Sequence, residues 1–132
     1  MAKGYDSNQE RLRALSLLGK DLARRAKSKC EVCQASGVPL RIHEVAPVPK
    51  EPDPDHVIMV CAACEEALDD TATPLEPNRW RVLTETLWSD APAVRVSVVR
   101  LLQRLAKNTD WARETLDEAY LEEGILEWAA KG

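Results

Sequence analysis

Cys30-Glu31-Val32-Cys33 and Val57-Ile58-Met59-Val60-Cys61-Ala62-Ala63-Cys64 are the two stretches on which the reading of this chain turns. Each contains a Cys-x-x-Cys pair, and 27 residues lie between Cys33 and Cys61. A two-residue spacer lets both sulfurs of a pair point at one ion about 2.3 Å away, and two pairs complete the tetrahedron that Zn²⁺ accepts. Soft thiolates disfavour Mg²⁺ and Ca²⁺. The spacing therefore predicts one Zn²⁺ on Cys30, Cys33, Cys61 and Cys64. Four sulfur ligands leave no position for water, so the ion is expected to be structural rather than catalytic. Iron in a rubredoxin-like site has the same ligand set. A redox dithiol needs a Cys-x-x-Cys that opens a helix after a strand, and only Cys61 and Cys64 offer that.

Working outward, residues 38–45 alternate and are in places β-branched, which predicts a strand. Val57-Ile58-Met59-Val60 predicts a second, leading into Cys61. Between them, residues 46–55 hold Pro47, Pro49, Pro52 and Pro54 among acids, a loop with no prospect of sheet or helix. Gly37 marks a tight turn after the first pair. Glu65-Glu66-Ala67-Leu68 reads as the first turns of a short helix, and 69–77 as another loop. Upstream, Ser7-Asn8-Gln9-Glu10 has the spacing of a capping box, placing the start of an N-terminal helix over 7–28. On it Leu12, Leu15, Leu18, Leu22 and Ala26 share one broad face, and Arg13, Lys20, Arg24 and Lys27 another. Gly19 weakens this helix by roughly 1 kcal/mol relative to Ala without breaking it.

The region 78–132 reads as helical. Trp80, Leu83, Leu87 and Trp88 recur at three- and four-residue steps over 79–89. Pro92 opens the clearest helix, about 91–107, with Val94, Val98, Leu101, Leu102 and Leu105 on its core face and Arg100, Arg104 and Lys107 outside. Thr109 or Asp110 can cap a further helix bearing Trp111, Leu116 and Tyr120, interrupted at Gly124. Ile125, Leu126 and Trp128 follow.

The chain has 132 residues, 45% apolar and 30% charged, the balance of one domain with a true core and a solvated surface. No run approaches the roughly 18 apolar residues that span a bilayer, and the first residues lack the apolar stretch of a secretory signal. The expected compartment is the cytoplasm, where disulfides rarely persist and the cysteines are thiols or thiolates. The net charge of −4 is uneven: residues 1–29 carry eight Lys and Arg against three acids, and the rest carry ten against nineteen. Four zinc-bound thiolates add about two more negative charges. An acidic whole argues against a dedicated nucleic-acid binder, and the basic N-terminal segment argues for one.

Arg13, Lys20, Arg24 and Lys27 are accordingly candidate phosphate contacts, against the commoner reading of a solvated helix face. Lys27, Lys29 and Arg41 lie near the cysteine pairs in sequence and can offset thiolate charge. His56 reads as a surface residue. Trp80, Trp88, Trp111 and Trp128 read as core, unless exposed, when they mark a partner surface. The C-terminal acids read as a solvated face.

Leu40-Arg41-Ile42-His43-Glu44 between the two cysteine pairs resembles the ββα-metal nucleases of the HNH family over residues 30–70. In that family a zinc knuckle precedes a strand ending in a catalytic His, and a second cysteine pair opens the metal-binding helix. The resemblance implies a treble-clef zinc module with His43 or Glu44 in the general-base region. The helix after Cys64 lacks the family's downstream histidine, offering Glu65, Glu66, Asp69 and Asp70 instead, which could hold Mg²⁺.

The whole chain also resembles the bacterial PhnA-like proteins, named after alkylphosphonate-utilisation gene clusters. It does so through Gly4-Tyr5-Asp6, Gln9-Glu10-Arg11, Ala14-Leu15-Ser16-Leu17, Gly19-Lys20-Asp21-Leu22-Ala23-Arg24-Arg25, Ser28-Lys29-Cys30-Glu31 and Cys33, Pro47-Val48-Pro49-Lys50-Glu51-Pro52-Asp53, Trp80-Arg81, Trp88-Ser89, Pro92-Ala93-Val94 and Arg104-Leu105-Ala106-Lys107. That resemblance implies an N-terminal cysteine-rich zinc site and no established reaction. The shorter members add a small β-rich domain where this chain has helices.

The expectation is an α+β, mainly α, single domain over 1–132. A four-cysteine zinc module at 29–70, treble-clef or zinc-ribbon-like with a short β-hairpin, stands between an N-terminal amphipathic helix and a C-terminal helical bundle. The expected function is that of a non-enzymatic zinc protein with a protein or nucleic-acid partner, no membrane and no organic cofactor. The alternative is an HNH-like metal-dependent nuclease using His43 and Glu44.

Overall fold

The apolar run that opens at Val57 sorts its side chains by parity, because successive residues of an extended chain point to opposite faces. Val57 and Met59 pack with Leu22, Leu15, Leu18 and Ile42, whereas Ile58 and Val60 enter the larger core. A strand covered on both faces needs an apolar residue at every position, so the segment reads as a continuous run rather than an alternation.

The computed structural model describes residues 2–131, with side chains from residue 9 onward. Its elements are α1 (Ala2–Ala26), β1 (Leu40–Glu44), β2 (Val57–Cys61), α2 (Ala62–Asp69), α3 (Leu83–Thr86), α4 (Pro92–Ala106), α5 (Asp110–Glu118) and α6 (Glu123–Lys131). Short 3₁₀ turns lie at Pro54–His56 and Pro77–Trp80. The protein is mainly helical with one antiparallel hairpin, in register from Leu40 opposite Cys61 to Glu44 opposite Val57. Among the described residues no helix is long and apolar enough to cross a membrane.

The hairpin is a middle layer. On one face Leu40 and Ile42 pack toward α1, and Glu44 meets Arg11. On the other, Arg41 and His43 approach Glu65 and Asp69 of α2, while β2 feeds the core built on α4. α4 is buried round much of its circumference, at Ala93, Val94, Val96, Val98, Val99, Leu101, Leu102 and Leu105. Around it gather the cysteine turn, β2, α3, α5 and α6 in one continuous core.

Several expectations are corrected. α1 begins at Ala2, so Ser7 lies inside the helix and is not its cap; the Ser7 side chain itself is outside those described. Once a long helix is nucleated, extending it through proline-free residues costs little. Leu12, at the front of the predicted apolar face, is 51% exposed. A helix of 25 residues runs about 37 Å and a five-residue strand about 17 Å, so the front of α1 projects past the hairpin. The proline loop contains a 3₁₀ turn, started by Asp53 accepting from the Asp55 amide at 2.8 Å. The expected helix over 79–89 resolves into the second 3₁₀ turn and the four-residue α3.

In the C-terminal region the helix break falls at 119–122, and Gly124 sits inside α6. Packing sets that break: Ile125 and Ala129 turn back into the core, whereas Tyr120, expected on a helix face, stands in the break at 95% exposure. Arg100 and Arg104 are not on a solvated outer side. Arg100 donates to the carbonyls of Ala46, Trp128 and Ala129, and Arg104 to those of Ala67, Asp70 and Thr73. One helix thereby ties down the end of α2, the end of α6 and two loops.

Leu102 is fully buried at the centre of this arrangement. Leu102→Ala is expected to lower stability by about 3 kcal/mol, read as a reduced midpoint in urea with an unchanged slope.

Candidate metal centre

Both cysteine pairs are positioned by local backbone structure. α1 ends through Lys27 and Ser28 in the left-handed region, with φ of 56° and 61°, and the Ser28 amide closes onto the Ala23 carbonyl at 3.3 Å. The chain then folds into a small turn: the Cys30 amide donates to Ala35 O at 3.0 Å and the Gln34 amide to Cys30 O at 2.9 Å. Gln34 adopts φ 65° to close it, a position where side chains are ordinarily disfavoured. Gly37 supplies the next left-handed residue, at φ 70°, as the turn reading expected. Within the turn the Cys33 amide donates to Cys30 Sγ at 3.4 Å. β2 delivers the second pair, with Cys61 at the N-cap of α2 and Cys64 in its first turn.

Glu31 joins the two halves. Its amide donates to Met59 O at 2.9 Å, and its carboxylate accepts from the Met59 amide at 3.0 Å. Arg25, at the end of α1, grips the same carboxylate with Nε at 3.0 Å and Nη2 at 2.8 Å, and donates to Val57 O at 3.0 Å. Glu31, the first of the two residues between Cys30 and Cys33, is thus a buried clasp along the edge of β2.

The four sulfurs lie within 4.8 Å of one another, and Cys33 Sγ is 3.7 Å from Cys61 Sγ. A disulfide needs about 2.05 Å, and all four thiols are free. The edge of a tetrahedron with bonds of about 2.3 Å is about 3.8 Å, so the group has the dimensions of a four-sulfur metal site and could hold an ion. The thiols also act on one another's protonation. Hydrogen bonding from Cys30 and then Cys64 pulls Cys33 well below the ordinary thiol range, while Cys30 and Cys33 push Cys64 up.

The other candidates separate. Glu44 is held by Arg11, whose guanidinium also donates to Pro49 O and Lys50 O at 2.9 and 2.8 Å. His43 is half-buried, with Nδ1 4.0 Å from Asp69 Oδ1, beyond hydrogen-bonding distance. Glu65 pairs with Arg41 at 3.2 Å. Asp70 accepts from the Thr73 hydroxyl and the Ala72 and Thr73 amides, which holds its carboxyl below the usual range. Among the described residues the cysteines are the one group of three or more His, Cys, Asp or Glu that could hold a metal ion; Glu65, Glu66, Asp69 and Asp70 do not converge. Arg13, Lys20, Arg24 and Lys27 are all exposed. His56 is not a simple surface residue: its ring lies 4.4 Å from Trp128, and its Nδ1 is buried without a partner.

Sequence reasoning missed the roles of Arg25, Glu31, Arg100 and Arg104. Glu31 carried a signal, an acid inside a Cys-x-x-Cys spacer six residues after an arginine. The arginines of α4 carried none, because their partners are backbone carbonyls.

No protein-family model, no curated protein and no solved structure matches this chain.

Arg25→Met leaves the buried Glu31 carboxylate without its charged donor. The variant is expected to lose about 2 kcal/mol, measured by urea unfolding of protein with its metal content determined, and to lose amide-exchange protection first at Met59.

Proposed function

We propose that Cys30, Cys33, Cys61 and Cys64 hold one structural Zn²⁺, and that the protein is a non-enzymatic zinc protein of the cytoplasm acting through its surface on a macromolecular partner. The observation that supports this best is the 3.7 Å gap between Cys33 and Cys61 within a four-sulfur group that contains no disulfide. Bound there, the ion would cross-link the turn after α1 to the N-terminus of α2 and stabilise the hairpin between them; a two-stranded sheet has little stability of its own. Zn²⁺ is favoured over iron because the proposed role needs no electron transfer. The order of knuckle, hairpin and helix carrying the second pair is that of a treble clef, and we assign the module to that class. A place among the PhnA-like proteins rests on the residues quoted above.

Freshly isolated protein is expected to contain one zinc per chain by elemental analysis. Chelation under reducing conditions should abolish exchange protection across β1 and β2, while Cys64→Ser should lower zinc content and affinity at least tenfold. Metal-free protein with an intact, protected hairpin would overturn the proposal.

A second reading, an HNH-like nuclease, draws on one observation: His43 lines a cleft of about 640 Å³ together with Arg100, Arg104 and Lys107. It is weakened by the tight pairing of Glu44 with Arg11. If it holds, plasmid DNA is cut with added Mg²⁺ or Mn²⁺ and the cutting disappears in His43→Ala. The leading reading expects equal, background cleavage by both proteins.

A further inference from the structure

The partly buried arginines do not all find an acid. Arg11 pairs with Glu44, and Arg95 with Glu122. Arg100 and Arg104, partly buried on α4, form no ion pair among the described residues. Their partners are backbone carbonyls at the ends of α2 and α6 and in the adjoining loops. Carbonyls satisfy N–H donors without cancelling a whole charge, since each helix end contributes only about half a negative charge. Burial lowers the Arg100 pKa, and no neighbouring acid raises it again. Such a cation lacks the counter-charge that buried charges ordinarily have.

Both guanidinium groups line one cleft of about 640 Å³, between the end of β1, the end of α2 and α4. Small-molecule sites span roughly 300–1,000 Å³. Lys107 adds a third cation. Of the two lining acids Glu44 is neutralised by Arg11, which leaves Asp69. Asp70 lies near enough for Arg104 to lower its pKa, but its carboxylate turns to the Thr73 hydroxyl and the Ala72 amide and does not line the cleft. Three cations against Asp69 and two helix ends leave an excess of about one positive charge. Among the described residues Arg100 Nη1 and Arg104 Nε donate to nothing. Ala46, Val48 and Leu68 make an apolar stretch of the wall.

An excess of one charge matches a monoanion better than a phosphate ester, which carries about two. Two arginines one turn apart can each donate to one oxygen of a carboxylate, a planar acceptor that suits guanidinium. We propose that this cleft binds a small organic carboxylate, its charged end held between Arg100 and Arg104 and its apolar body laid against Ala46, Val48 and Leu68. This goes beyond the zinc reading and involves no bond cleavage. Zinc content, DNA cutting and carboxylate binding are measured separately, so each can fail alone.

The test is a titration of the full chain, of known metal content, with octanoate in about 0.15 M salt, followed by amide chemical shifts. Octanamide, acetate and inorganic phosphate serve as comparisons. Octanoate is expected to saturate a site whose shifts centre on residues 43–48, 68–71 and 97–107. Octanamide, which lacks the charge, and acetate, which lacks the apolar body, should each bind at least about tenfold more weakly. Arg100→Gln should weaken octanoate about tenfold, and the exposed Val48→Glu should do the same without loss of stability. Val38→Glu makes the same change at the far end of β1 and should alter affinity less than about twofold. If Arg100→Gln does not fold, Val48→Glu and Lys107→Gln decide, the latter weakening octanoate severalfold. The proposal is overturned by absence of saturable binding, by shifts centred elsewhere, by equal effects of Val48→Glu and Val38→Glu, or by octanamide or phosphate binding as tightly as octanoate.

Discussion

Four sulfurs gathered within 4.8 Å set a condition on everything around them. As thiolates they repel one another, and as thiols they are poor partners for the amides and helix end that face them. The backbone at both pairs is arranged for anions: the Cys33 amide points at Cys30 Sγ, and Cys61 and Cys64 stand at the N-terminus of α2. Such a group could hold a metal cation at its centre. The elements that meet there come from distant parts of the chain, so the sulfur group also fixes how α1, the hairpin and α2 stand relative to one another.

From that junction the architecture follows through β2. Its two faces are claimed by different partners, α1 on one side and the α4 core on the other. A five-residue strand therefore joins the N-terminal helix to the C-terminal half of the chain. Arg100 and Arg104, one turn apart on α4, add a polar counterpart to this apolar joint. They satisfy carbonyls at the ends of α2 and α6 that would otherwise be left open. The cost of placing two guanidinium groups in partly buried positions is offset by hydrogen bonds to backbone rather than to acids, and burial lowers the pKa of Arg100.

Much of this is legible in the residues. The cysteine spacing locates the four-sulfur group, the uninterrupted apolar run locates β2, and the periodicity beginning at Pro92 locates α4. These signals are strong because each comes from a requirement met residue by residue. The start of α1, the break before α6 and the fate of Tyr120 are misread from sequence, because they depend on what the neighbouring elements cover. A capping-box spacing or a glycine is only a local preference of about 1 kcal/mol, easily outweighed by burying Ile125 and Ala129. The pairing of Glu31 with β2 and the α4 arginines' grip on carbonyls have no pattern to reveal them. Such contacts exist only once distant segments have been brought side by side.

The clasp made by Glu31 has a bearing on how the molecule avoids its own copies. A strand with five consecutive buried residues is a hazard wherever its main-chain edge is open, since it can template pairing with a second chain. Here β1 takes one edge of β2, and on the other a carboxylate occupies the Met59 amide as an added strand would. The Glu31 side chain thus ends the sheet at two strands. Its hold lasts only while the knuckle stays seated, so an ion bound by the four sulfurs would, by keeping the knuckle in place, also guard the solution against filament growth.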